Sequence, residues 1–143
     1  MTDAHVERIV PATPERTWHA FTDPRELSAW FWPPGFATEA LLEPRAGGRL
    51  RIASAPADMA VEGEVRTAIA PTLLRLTWRW AGEDLTTEVA IELLPHGGDT
   101  RLVVDHRGFP TDAMAVEHAQ GWSDCLDRLA PHLADTDARG PRA

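Results

Sequence analysis

Along this chain the spacing of apolar positions changes twice, and each change marks a change of element. "HVERIVPA" (5–12) alternates polar residues with β-branched ones and predicts a short first strand that Pro11 ends. "ATPERTWHAF" then reads as a helix start, with Thr13 as N-cap, Pro14 at the first helical position, and Trp18 and Phe21 on one face. "TDPRELSAWF" repeats the device. Thr22 or Asp23 caps, Pro24 opens a second short helix, and Leu27, Trp30 and Phe31 form its apolar side. "WPPGF" (32–36) stops it, because prolines and glycine cannot continue a helix.

From residue 38 the period becomes alternating. "TEALLEP" predicts a strand and "RAGG" (45–48) a turn. Further strands follow at 49–54, 59–69, 73–80, 84–94 and 100–109. In "LLRLTWRW" (73–80), Leu74, Leu76, Trp78 and Trp80 oppose Arg75, Thr77 and Arg79. In "TRLVVDHRGF" (100–109), His106 falls in register with Leu102 and Val104 and is expected to point inward. The links "AP", "AGE" and "PHGGD" are short enough for neighbouring antiparallel strands. Charge on one side and apolar groups on the other describe a sheet with one wet face, where Arg and Glu pair across strands.

That sheet needs cover, and a helix from about Thr111 to Leu133 is the only element large enough. Ala115, Ala119, Trp122, Leu126, Leu129 and Leu133 draw one stripe along it. The stripe is uneven: Met114, Ala115, His118, Ala119 and Gly121 are small or adaptable, whereas the three leucines fill space. Gly121 costs roughly 1 kcal/mol relative to alanine inside a helix. Two reasons can offset that cost. Either the helix backbone approaches its neighbours closely there, or the missing side chain leaves volume with Trp122 as a wall. Residues 135–143 read as a disordered tail, so the prediction is one domain over 1–134.

Composition sharpens this picture at one point. Six tryptophans in 143 residues is high, and five of them fall on predicted inner surfaces or in the "WFWPPGF" stretch. A concave site lined by aromatics with a few polar groups is the usual form of a small-molecule pocket. The candidate ligand-binding residues are therefore Trp30, Trp32, Phe36, Trp78, Trp80, His106, Met114, His118 and Trp122. A net charge of −8 argues against nucleic acid. The polar N-terminus and the lack of a long apolar run argue against a signal peptide and a membrane span, so a cytoplasmic location is expected. Cys125 is the single cysteine, which excludes an internal disulfide, and it reads as a small apolar filler. The six histidines show no metal-ligand spacing, and no metal or cofactor is expected.

Several motifs together resemble a known family. They are "ATPERTWHAFTDP" with Trp18, Phe21, Asp23 and Pro24, Leu27 and Trp30 as "L-x-x-W", and Pro33 after the second helix. Others are "AGGRLR" at 46–51, "LRLTWRW" at 74–80, and His118, Gly121, Trp122, Leu126 and Leu129 as "H-x-x-G-W-x-x-x-L-x-x-L". Over about residues 5–133 the chain resembles the START-like (SRPBCC, Bet v-like) helix-grip superfamily, in the branch named after the activator of heat-shock protein 90 ATPase. The resemblance implies an α+β helix-grip fold: a curved antiparallel sheet of about seven strands around a long C-terminal helix, with two short helices after the first strand. It also implies binding of a small hydrophobic or amphipathic molecule between sheet and helix, with His106 and His118 as polar contacts.

Two alternatives accompany that reading. A co-chaperone-like stimulator of a heat-shock protein 90 ATPase would offer "FWPPGF" as an exposed contact to a chaperone. The 143 residues are expected to leave no room for the separate chaperone-binding domain of the eukaryotic activator. A cyclase- or hydrolase-like enzyme would use His106 or His118 as acid or base. The sequence leans away from catalysis, because it holds no nucleophile elbow or phosphate loop. The family's turn commonly carries an acidic residue and proline before its glycine pair, and here "EPRAGG" puts Glu43 in roughly that place. Homodimerisation is a further implication of the resemblance.

Overall fold

A computed structural model describes the backbone of residues 2–138 and the side chains of 2–134. The first strand, β1 (Thr2–Val10), leads into α1 (Pro14–Thr22) and α2 (Pro24–Trp30). Six strands follow: β2 (Glu39–Leu42), β3 (Arg49–Ser54), β4 (Met59–Ile69), β5 (Leu73–Trp80), β6 (Thr87–His96) and β7 (Asp99–Phe109). The chain ends in α3 (Asp112–Ala138). All seven strands form one antiparallel sheet in the order β1-β7-β6-β5-β4-β3-β2, with α3 packed on β1 and β7 and α2 on β2. This is the helix-grip arrangement that the motifs implied.

Local chemistry explains the helix boundaries. Thr13 Oγ1 accepts from the Arg16 amide at 3.2 Å and opens α1. Of the two residues that could cap α2, Asp23 does so, accepting from Arg25 N at 2.8 Å and Glu26 N at 3.3 Å. Each cap stabilises its helix by about 1 kcal/mol. "WPPGF" is not a plain stop, since Pro34–Phe36 make one 3-10 turn that Ala37 ends in a left-handed conformation.

Other boundaries move for equally physical reasons. β1 begins at Thr2, because it pairs with β7 along its whole length. β6 starts at Thr87 rather than 84 and extends to His96, leaving Gly97 and Gly98 alone to turn into β7. Both glycines have positive φ (55° and 93°), which a two-residue hairpin turn favours. The helix was expected to end at Leu133, yet α3 continues through Ala138, so residues 135–138 are helical rather than tail. The rest of that expected tail, 139–143, lies outside the described residues.

The core confirms the uneven stripe. Leu126, Leu129 and Leu133 are fully buried, while Met114, His118 and Ala119 are half-buried and Gly121 is exposed. The outer face of the sheet is wet and paired, with Arg51 and Arg79 on Glu62 and Arg101 on Glu7. At the leucine end, Glu26 ties all three helices together. It accepts both guanidinium nitrogens of Arg16, binds His19, and meets His132 Nε2 at 2.8 Å. Burial alone would raise the Glu26 carboxyl, but these hydrogen bonds outweigh it and hold it below its ordinary range.

Candidate functional site

At the other end, where the helix stripe turns small, the sheet and α3 leave a cleft of about 420 Å³. That lies within the range of small-molecule sites. Phe31, Trp32, Pro33 and Phe36 form one wall, and Trp78, Trp80 and Met59 come from the sheet. From α3 come Glu117, His118, Gly121, Trp122, Asp124, Cys125 and Arg128. β5 delivers its two indoles to the same side because they stand two residues apart on a strand. Just before them the sheet coils tightly: a side chain at Gly63 would lie 1.9 Å from the Thr77 carbonyl oxygen.

The aromatic groups contact one another continuously. Phe31 sits at the centre, with ring centroids 5.7 Å from Trp32, 6.1 Å from Trp78 and 5.8 Å from Trp122. Trp32 lies nearly parallel to Trp80, and Phe36 packs on Trp32. The "FWPPGF" segment therefore turns its aromatic rings onto the cleft and exposes only Pro34 and Gly35. It is not the protruding apolar contact expected of a chaperone-binding loop. Behind Phe31, Trp78 and Trp122 lies a small apolar void of about 20 Å³.

Two histidines fix two of these indoles. Trp80 Nε1 donates to His118 Nε2 at 3.0 Å, so the His118 proton sits on Nδ1, 2.8 Å from the Met114 carbonyl. Trp122 Nε1 donates to His106 Nδ1 at 3.0 Å, and His106 Nε2 then donates to Thr87 Oγ1 at 2.6 Å. Thr87 passes the bond on to the Trp78 carbonyl at 3.2 Å. Burial, with a smaller contribution from His118, pushes His106 down to about 3 and keeps it neutral. Every nitrogen of both rings is thus engaged. Burial likewise pushes the Cys125 thiol up to about 12, outweighing the lowering influence of Arg128. The sulfur stays protonated and is no nucleophile.

Six of the nine candidate residues line the cleft: Trp32, Phe36, Trp78, Trp80, His118 and Trp122. Three do not. Trp30 points into the core, where its Nε1 donates to the Ala20 carbonyl at 2.9 Å and its ring meets Phe21 edge-on. His106 does point inward, but it stands behind Trp122 as that ring's support. Met114 packs in a separate cluster with Ala4, Phe109 and Ala115. Sequence reading missed Phe31, Met59, Glu117, Asp124 and Arg128 as liners. The α3 set was accessible from spacing, since 117, 121, 124 and 128 fall on one helical ridge. Met59 had no such signal, being simply the first residue after a loop.

The question of Gly121 is settled by space. A Cβ built there meets nothing within 4 Å, so close backbone approach is not the reason for glycine. Gly121 lines the cleft, and its missing side chain leaves the mouth open. Among the described residues, no group of three or more His, Cys, Asp or Glu is placed to hold a metal ion, and no helix is long and apolar enough to cross a membrane.

Sheet, gripping helix and aromatic cleft together define a START-like helix-grip domain. Within that class, residues 11–134 match the family described as activator of Hsp90 ATPase homolog 1-like protein, and the chain belongs to it. Solved structures agree. A protein from Mesorhizobium loti is 26% identical with a TM-score of 0.82, covering 94% of this chain and 98% of that one. One from Rhodobacter sphaeroides is 29% identical with a TM-score of 0.81, covering 94% and 93%. A third, named AHSA1, from Silicibacter pomeroyi, is 26% identical with a TM-score of 0.77, covering 93% and 98%. No curated protein matches the sequence.

Proposed function

We propose that this domain binds a small hydrophobic or amphipathic molecule in the cleft between the sheet and α3. One observation carries the reading: a cleft of about 420 Å³ whose walls include four tryptophans and two phenylalanines, kept open by a glycine. Aromatic surface on that scale is costly to leave in water, and an occupant would cover it. The enzyme alternative lacks support from the two histidines, since His106 lies outside the cleft and both His118 nitrogens are taken. The co-chaperone alternative loses its exposed loop, because Trp32 and Phe36 fold inward.

Native mass spectrometry of freshly purified protein, set against its denatured mass, tests the reading directly. The expected result is a non-covalent added mass that Gly121→Leu removes. Leucine at 121 enters open space, so the variant should fold and gain up to about 1 kcal/mol in helix propensity. An added mass that survives Gly121→Leu would place the ligand elsewhere. Wild-type protein that carries no added mass, alone or after incubation with the naphthyl probes described below, would overturn the reading.

A further inference from the structure

The charges around the cleft are not balanced, and the imbalance has a sign. Glu117, Gly121, Asp124 and Arg128 follow one another along one ridge of α3, and all four line the cleft. Glu117 and Asp124 are exposed carboxylates that pair with no basic side chain among the described residues, and Asp124 accepts only from Gln120 Nε2 at 2.9 Å. Between them stands Gly121, so the space separating the two carboxylates is empty of side chain.

The one guanidinium of the cleft is already committed elsewhere. Arg128 Nη2 donates to the Phe31 carbonyl at 2.7 Å and Nε to the Trp30 carbonyl at 3.3 Å, with Cys125 Sγ at 3.5 Å. Those carbonyls are the C-terminal end of α2, where the partial charge is negative and a cation is favoured. Both ring nitrogens of His118 are taken, Nε2 by the Trp80 indole and Nδ1 by the Met114 carbonyl. The side chains of this ridge left with no basic partner among the described residues are therefore two carboxylates, on the same cleft as the indoles of Trp32 and Trp80.

Indole faces attract cations through the ring quadrupole, and nearby carboxylates strengthen that preference. The inner wall carries an unmet polar group. Trp78 is 5% exposed, and its Nε1 is buried without an acceptor, whereas the indoles of Trp30, Trp80 and Trp122 all donate. Such a donor is ordinarily satisfied. We infer that the ligand of this cleft is an organic cation: a largely apolar body against Phe31 and Trp122 that carries one acceptor for the Trp78 indole N–H, with a protonated amine or quaternary ammonium at the mouth between Glu117 and Asp124. The inference rests on the cleft being the binding site and adds the sign of the ligand's charge. A net charge of −8 on the chain favours the same sign at longer range.

Three probes sharing one ring system test it by calorimetric titration: (naphthalen-2-ylmethyl)trimethylammonium, 2-naphthalenemethanol and 2-naphthalenesulfonate. The expected result is that the ammonium binds at least tenfold more tightly than the neutral alcohol, with the sulfonate weakest. Glu117→Gln combined with Asp124→Asn should bring ammonium and alcohol within about threefold of each other. Both side chains are exposed, so thermal unfolding should show the double variant folded. Alcohol or sulfonate binding as tightly as the ammonium would overturn the charge inference and leave cleft binding intact. An ammonium preference that survives the double variant would also overturn it. Failure of all three probes to bind would overturn the charge inference, and would overturn cleft binding as well where the purified protein also carries no added mass.

Discussion

Three indole N–H groups have a named acceptor, and two of those acceptors are histidines that the sequence offers as ligand contacts. His106 has no exposed surface and works as a strut, with Trp122 on one nitrogen and Thr87 on the other. Its neutrality has a measurable consequence. The ring titrates near 6.5 when unfolded and at about 3 when folded. Between those values the unfolded chain binds a proton that the native state refuses. Stability should therefore fall as pH drops from 6.5, by about 1.4 kcal/mol per pH unit for this one group. Urea unfolding midpoints across pH 4.5 to 8 would show that slope in the wild type. His106→Gln should be weaker at pH 7 and flatter below it by one proton. Equal slopes in the two proteins would assign the proton uptake to another group.

Between helices the decisive contacts are ionic, and they sit at the end opposite the cleft. Glu26 on α2 joins Arg16 and His19 on α1 to His132 on α3, and its side chain is only 18% exposed. Removing the carboxylate's charge leaves the largely buried Arg16 guanidinium without its ion pair. Glu26→Gln should cost about 2–3 kcal/mol at pH 7. Because the native carboxyl is held low, the wild-type advantage should persist at neutral pH and fade as pH falls through its native titration. Chemical denaturation of both proteins at pH 7 and pH 3.5 checks this, and a gap that widened in acid would contradict it. None of this cluster was legible beforehand. Helix caps and strand alternation were, since Thr13, the choice of Thr22 or Asp23, and the inward side of β5 depend on near neighbours in the chain. Which tryptophan faces the cleft depends instead on how α2 leans on α1. Trp30 and Trp32 are two residues apart and equally apolar, yet one finds the Ala20 carbonyl and the other the opening. Periodicity assigns a face, while the register of one packed element against another lies outside it.

The same partition sets how firmly α3 is held along its length. Its C-terminal half buries Leu126, Leu129 and Leu133 completely, and truncating any of them should cost about 2–5 kcal/mol. Its N-terminal half rests half-buried Met114 and Ala119 only on the small cluster of Ala4, Phe109 and Ala115, and turns His118 and Gly121 to the cleft. A helix packed at one end and bordering a cleft at the other should open locally before it unfolds globally. Backbone amides over 114–121 are therefore expected to exchange faster than those over 124–130 in the ligand-free protein. A bound molecule must be released for the cleft side to open. At a hundredfold excess over Kd that linkage is worth about 2.7 kcal/mol, or roughly hundredfold slower exchange over 114–121. The leucine half, already limited by global unfolding, gains only as much as the whole domain gains. Hydrogen-exchange mass spectrometry with and without the naphthyl ammonium probe measures both halves at once. Uniform exchange along α3 in the free protein would show that the small-residue half is packed as firmly as the leucine half. Selective protection of 114–121 would tie occupancy of the cleft to the one stretch of helix whose missing side chain creates it.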